Sequence, residues 1–131
     1  MPGPILPRSS MSPQQLRRVL TCIESRIAEP LRIRHLAQEA AMSPFHFSRM
    51  FKRATGYSPH HYLTLQRIEK AKLLLAASDL PIVAVASAVG YLTQAHFTSS
   101  FGRHVGMTPK AYRMSQRTPH AAPASVQDAT A

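Results

Sequence analysis

The sequence predicts an all-α fold of seven helices, which form two helix-turn-helix subdomains joined by a long connecting helix. Two observations lead to this prediction. Apolar residues recur at helical spacing, whereas alternating strand patterns are poor, and the chain resembles itself at an interval of fifty residues. Of its 131 residues, 44% are hydrophobic and 17% are charged, so the chain has enough apolar residues to bury a core.

The helices follow from their apolar faces and from the residues that begin and end them. In the first subdomain, Ser12 caps the first helix, and a second helix runs from about residue 34 to 40. A third begins at Ser43-Pro44 and ends near Gly56. We expect five segments in all: a flexible leader over 1–11, the first subdomain over 12–58, the connecting helix over 59–77, the second subdomain over 78–116 and a disordered tail over 117–131.

The internal repeat relates the two subdomains position by position. At an offset of fifty the matched pairs are Ser43 and Thr93, His46 and His96, Phe47 and Phe97, Phe51 and Phe101, Arg53 and Arg103, Gly56 and Gly106, Pro59 and Pro109, and Tyr62 and Tyr112. Before the turn the offset is forty-nine and pairs Ala41 with Gly90, small residues that let two helices approach closely. A short helix, a tight turn and a second helix form the helix-turn-helix signature, which here occurs twice in register.

The charge of the chain indicates a polyanionic partner. Lysine and arginine number 16 against 6 acids, which gives a formal net charge of +10. These cations recur along the whole chain, as expected for a folded domain with a basic face, and nucleic acid is the commonest partner of such a domain. The alternative is a highly soluble helical scaffold without a nucleic-acid role.

Several other classes of function are disfavoured. The single cysteine, Cys22, forms neither an internal disulfide nor a thiolate zinc site. We find no phosphate-binding loop, nucleophile elbow, paired carboxylates or metal-ligand spacing, so we expect a non-enzyme with no cofactor and no metal. No apolar run approaches a membrane span and no signal peptide is evident, so we expect a cytoplasmic, nucleoid-associated protein without a membrane partner.

Two stretches carry a family resemblance. LAQEAAMSPFHFSRMFKRATGYSPHHYLTLQRIEKAKLLL and PIVAVASAVGYLTQAHFTSSFGRHVGMTPKAYR resemble the DNA-binding domain of the AraC/XylS family of bacterial transcription regulators, over roughly residues 16–113. The resemblance implies a seven-helix, two-subdomain fold that binds promoter DNA, as an activator or less often as a repressor. The chain is similar in size to short stand-alone members, which implies a monomer on an asymmetric site. An excised C-terminal domain or the product of a truncated gene is the alternative. A connecting helix of about 25 Å suits two recognition helices in successive major grooves, about 34 Å apart.

In the first subdomain, the exposed face of the second helix of the motif is the expected DNA reader. Base contacts are expected from Phe45, Ser48 and Arg49, and backbone contacts from Ser43, His46, Lys52 and Arg53. Arg49 is the leading candidate because arginine pairs with guanine O6 and N7. Its alternatives are a phosphate clamp or a surface ion pair. Phe45 either contacts a thymine methyl or sugar, or packs on the preceding helix.

In the second subdomain, base contacts are expected from Gln94, Ala95, His96 and Ser99, and backbone contacts from Thr93 and Arg103. Thr93 equally suits a purely capping role. Ser99 stands where the family pattern often has arginine, and Gly102 lowers helix propensity by about 1 kcal/mol relative to alanine. We therefore expect this subdomain to contribute less base-specific energy.

Two alternatives to a specific promoter regulator remain open. One is a non-specific nucleoid-type DNA binder, held by charge alone. The other is a helical adaptor whose main partner is RNA polymerase, which is also an expected partner of the regulator itself. Preference for one DNA sequence over bulk DNA by ~10³ or more separates the regulator from both.

Overall fold

Seven helices occupy residues 11–117, the part of the chain that the computed structural model describes, and no strand occurs in that range. This confirms the all-α fold class. The helices are α1 (Pro13–Ser25), α2 (Ile33–Glu39), α3 (Pro44–Thr55), α4 (Pro59–Ala77), α5 (Ile82–Ala88), α6 (Gln94–Val105) and α7 (Pro109–Arg117). The chain divides into two compact units, before and after the boundary between Gln66 and Arg67. The boundary falls within α4, a continuous helix of 19 residues.

The first unit packs α1, α2, α3 and the start of α4 around one apolar core. Its buried members are Val19, Cys22, Ile23, Ile27, Leu36, Ala37, Ala40, Phe47, Phe51 and Leu63. The Phe51 ring lies 5.5 Å from Phe47 and 5.4 Å from Tyr62, centroid to centroid. Because these rings come from α3 and α4, they fix the inner face of α3 and leave its opposite face to solvent.

The second unit has its own core, and it repeats this arrangement. Its buried members are Ile68, Ala71, Leu75, Val85, Ala86, Val89, Tyr91, Phe97 and Phe101. The Phe101 ring lies 5.6 Å from Phe97 and 5.7 Å from Tyr112. Each helix-turn-helix motif is thus anchored by the same three aromatic positions, fifty residues apart.

Side-chain caps begin five of the described helices: Ser12 caps α1, and the other four caps stand at positions that the repeat relates in pairs. The hydroxyl of Ser43 accepts a hydrogen bond from the His46 N–H at 3.2 Å, and that of Thr93 accepts one from the His96 N–H at 3.0 Å. Ser58 and Thr108 act in the same way one helix later. Each cap satisfies a backbone N–H that has no partner within the helix, so local sequence alone sets where these helices begin.

Both expected end segments need correction where the structure describes them. Met11, which we expected in the flexible leader, is half-buried against the first core. Arg117, expected to begin the tail, ends α7, and its guanidinium bonds the Asp79 carboxylate at 2.7 Å and the Ser78 carbonyl. Residues 1–10 and 118–131, the rest of the expected leader and tail, lie outside the described residues.

Two arginines of the second unit are half-buried. Arg113 donates from Nε to the Leu75 carbonyl at 3.0 Å, which joins α7 to the end of α4. Arg67 is half-buried, and its desolvation lowers the pKa of the guanidinium, partly offset by the Tyr91 hydroxyl. Arg113 therefore contributes to the packing of the second unit, and Arg67 is partly withdrawn from solvent.

Candidate nucleic-acid interface

The solvent-exposed side of α3 carries the residues expected to contact DNA in the first unit. Phe45, Arg49, Lys52 and Arg53 are exposed, whereas His46 and Ser48 are half-buried. Lys52 and Arg53 also lie in the last turn of α3, where positive charge stabilises the helix dipole. The face thus offers three cations to an anionic ligand.

Phe45 and Arg49 form a pair one helical turn apart. Phe45 is 73% exposed, so it does not pack on the preceding helix. The Arg49 guanidinium lies over its ring, 5.6 Å from the centroid, at a distance typical of a cation–π contact. Arg49 has no acidic partner among residues 11–117, so its surface ion-pair alternative is not seen. The contact with the ring holds the guanidinium near the start of α3. In helix-turn-helix proteins, the N-terminal residues of the recognition helix are the ones that contact base edges.

Ser43 and Thr93 stand at the N-terminal ends of α3 and α6, where they were expected to touch the DNA backbone. Both side-chain hydroxyls already accept a capping hydrogen bond. A contact with a phosphate therefore depends on the hydroxyl hydrogens or on the backbone N–H groups at the helix start, which favour anions.

The exposed side of α6 has a different chemistry. Gln94, Ala95, His96, Ser99 and Arg103 are all exposed, and Arg103 carries the one Lys or Arg charge of this helix. The His96 ring packs edge-on against Tyr91, with centroids 5.1 Å apart. The face therefore combines amide, imidazole and hydroxyl groups, which hydrogen-bond to base edges, with little fixed charge.

Arg103 reaches back to Ser99. Its Nη1 donates a hydrogen bond to the Ser99 Oγ at 3.2 Å, between residues four positions apart. The sequence predicts separate roles for these two residues: a DNA-backbone contact for Arg103 and a base contact for Ser99. The structure brings their polar atoms together on the exposed face.

Two features of the second unit were missed at the sequence level. Tyr91 and Ser100 share a buried hydrogen bond of 2.8 Å between their side-chain oxygens. The bond connects the turn between α5 and α6 to α6 itself. The repeat held a signal, because the corresponding positions of the first unit are both methionine, Met42 and Met50. Leu92, just before the cap of α6, is 95% exposed and adds an apolar group of the kind that contacts thymine methyls.

The two units carry equal formal charge but place it differently. Among described residues, the first unit has eight Lys and Arg against three acids, and the second has seven against two, so each is formally +5. α3 holds three of these cations and α6 holds one. The two exposed helix faces are thus electrostatically unequal.

Comparison with known proteins identifies the family. A family model described as a helix-turn-helix domain matches residues 36–115. The structure of an AraC-type transcriptional regulator from Chromobacterium violaceum is 28% identical and covers 81% of this chain and 95% of that one, with a TM-score of 0.75. The chain belongs to the AraC/XylS family. Family and fold are those of DNA-binding transcription regulators.

Two further relatives extend this likeness. The transcriptional regulator Rv1931c of Mycobacterium tuberculosis is 42% identical over 82 residues, which are 63% of this chain and 32% of the relative. The DNA-binding domain of AdpA, a global transcriptional factor solved with a target DNA, is 30% identical, with a TM-score of 0.77 over 86% of this chain and all of that one. The chain spans about a third of the length of the curated relatives it matches.

Between residues 11 and 117, no helix is both long and apolar enough to cross a membrane.

Proposed function

We propose that this chain recognises specific double-stranded DNA sequences at promoters and regulates transcription from them, by activation in preference to repression. The observation that carries the proposal is the pair of capped helices, α3 and α6, which expose hydrogen-bonding and cationic side chains in units of formal charge +5. A helix of this kind fits the major groove, where the donor and acceptor pattern differs for every base pair. The similar AdpA domain, solved on target DNA, supports the same ligand for this chain.

The two faces have different tasks in this proposal. Arg49, steadied by Phe45, pairs with a guanine, while Lys52 and Arg53 neutralise phosphates. In the second unit, Gln94 suits adenine N6 and N7, and His96 adds one hydrogen bond. Because the faces differ, the site is asymmetric, and one chain acts as a monomer with its two helices in successive major grooves.

The decisive experiment selects duplexes from random DNA with the purified chain at about 150 mM salt, where charge-driven binding is already weakened. We expect a motif with two half-sites about 10 base pairs apart. Arg49→Ala should reduce the discrimination between bases at one position of one half-site by about 1–3 kcal/mol. Lys52→Gln is the matched control on the same helix, and it should weaken binding to all sequences about equally.

The same selection distinguishes the alternatives. If no motif emerges and salt weakens binding to every sequence equally, the chain is a non-specific DNA binder and the proposal is wrong. A reporter gene placed behind the selected motif then gives the sign of regulation. Activation that persists in Arg49→Ala without motif binding would indicate an adaptor for RNA polymerase.

A further inference from the structure

We infer that Arg103 is a base-reading residue of the second unit, positioned by Ser99, rather than a phosphate contact. The inference rests on the proposed function, because it assigns a reading role within the same DNA interface. It also replaces the backbone role expected for this residue from the sequence.

The internal repeat shows what the second unit lacks. Ser99 occupies the position that corresponds to Arg49, the proposed base-contacting arginine of α3. At this position α6 therefore has no arginine. The repeat also pairs Arg103 with Arg53, and both are exposed. Equal positions in the repeat therefore predict equal roles for these two residues, unless their surroundings differ.

Their surroundings do differ. Arg103 Nη1 lies 3.2 Å from the Ser99 Oγ, so its guanidinium sits one helical turn towards the start of α6 from its own Cα. In the first unit the residue four positions before Arg53 is Arg49, a like charge that offers no acceptor. Long side chains on a helix lean towards its N-terminus, and here a hydrogen bond holds that orientation. The cation missing at position 99 is thus supplied from position 103.

The remaining donors of Arg103 suit a guanine. A guanidinium carries five N–H groups in a rigid fork, and the contact with Ser99 uses one of them. The others are available to O6 and N7 of guanine, the commonest specific arginine contact in the major groove. The space beside the neighbouring Gly102 is open, since a Cβ there would meet nothing within 4 Å. No side chain at that position obstructs the approach of a duplex.

The experiment measures binding to the selected motif and to every single-base change in the half-site of the second unit. Arg103→Ala should lose about 5- to 150-fold discrimination for one guanine and leave the other positions unchanged. Ser99→Ala keeps the charge of Arg103 but releases its guanidinium. It should weaken the same preference while the dependence of affinity on salt stays as in the wild type.

Arg53→Ala is the matched control from the equivalent position of the first unit. It should weaken binding to all DNA sequences alike and reduce the slope of log affinity against log salt by about one. If Arg103→Ala behaves as Arg53→Ala does, Arg103 is a phosphate contact and the inference is overturned. A wild-type chain without any base preference overturns the proposed function itself, which is a different result. Circular dichroism checks that each variant keeps its helices.

Discussion

The turns of the two motifs share a left-handed backbone conformation at equivalent positions, but different residues adopt it. Ala41 has a φ of +57°, and its partner in the repeat, Gly90, has a φ of +93°. The left-handed conformation costs an L-residue with a Cβ roughly 1–2 kcal/mol, and glycine avoids this cost. The sequence alone pairs these two small residues and predicts room for close helix packing. The structure adds a backbone reason for it.

Replacing Ala41 by glycine should therefore stabilise the first unit. We expect the free energy of unfolding to rise by about 0.5–1 kcal/mol, because relief of the strained φ exceeds the entropy that glycine adds to the unfolded chain. Guanidinium unfolding followed by circular dichroism measures the change. Gly90→Ala is the reciprocal control and should cost about 1 kcal/mol. A less stable Ala41→Gly protein would show that the turn carries no such strain.

At the scale of elements, the second unit depends on a buried polar contact where the first has methionines. Tyr91 and Ser100 share a hydrogen bond of 2.8 Å, and Ser100 is only 2% exposed. Removing one partner leaves the other buried without its bond, which costs about 1–3 kcal/mol, whereas removing both avoids that penalty. The contact thus holds the turn against α6 from the side opposite the exposed face.

A double-mutant cycle tests this contact. Tyr91→Phe and Ser100→Ala should each lower the free energy of unfolding, and the double variant should lose less than their sum, with a coupling of about 1 kcal/mol. Thermal or chemical unfolding of the four proteins gives the cycle. Strictly additive losses would mean that the hydrogen bond contributes nothing to stability. Met42→Leu in the first unit serves as the volume-conserving control and should change little.

The elements differ in how far sequence could predict them. Caps such as Ser43 and Thr93 act within three residues, so local chemistry fixes the helix starts. The contact between Tyr91 and Ser100 spans nine residues and depends on how the turn folds onto α6. Arg103 was predictable as an exposed cation, but its rotamer, and hence its contact with Ser99, was not. The expected DNA contacts of Ser43, Thr93, Ser99 and Arg103 stay predictions.

Across the whole molecule, the two units of the repeat share the aromatic packing of their cores but differ in their exposed side chains. The aromatic anchors recur in both units, whereas the exposed helix faces share little beyond His46 and His96 and the cations Arg53 and Arg103. Since α3 has three cations and α6 has one, we expect the first unit to account for more of the salt-dependent affinity. The proposed function therefore predicts that one chain with these two unlike faces binds an asymmetric site as a monomer.

The proposed simultaneous contact of both units with DNA predicts that affinity depends strictly on the spacing of the half-sites. Two contacts made by one chain raise the effective concentration of the second, so the full motif should bind far more tightly than either half. Inserting five base pairs between the half-sites rotates one by about half a helical turn and moves it to the other side of the duplex. We expect affinity to fall to that of a single half-site, as measured by titration with labelled duplexes. Substituting the same spacer bases without insertion is the control and should retain tight binding. Unchanged affinity after the insertion would mean that only one unit reads the DNA.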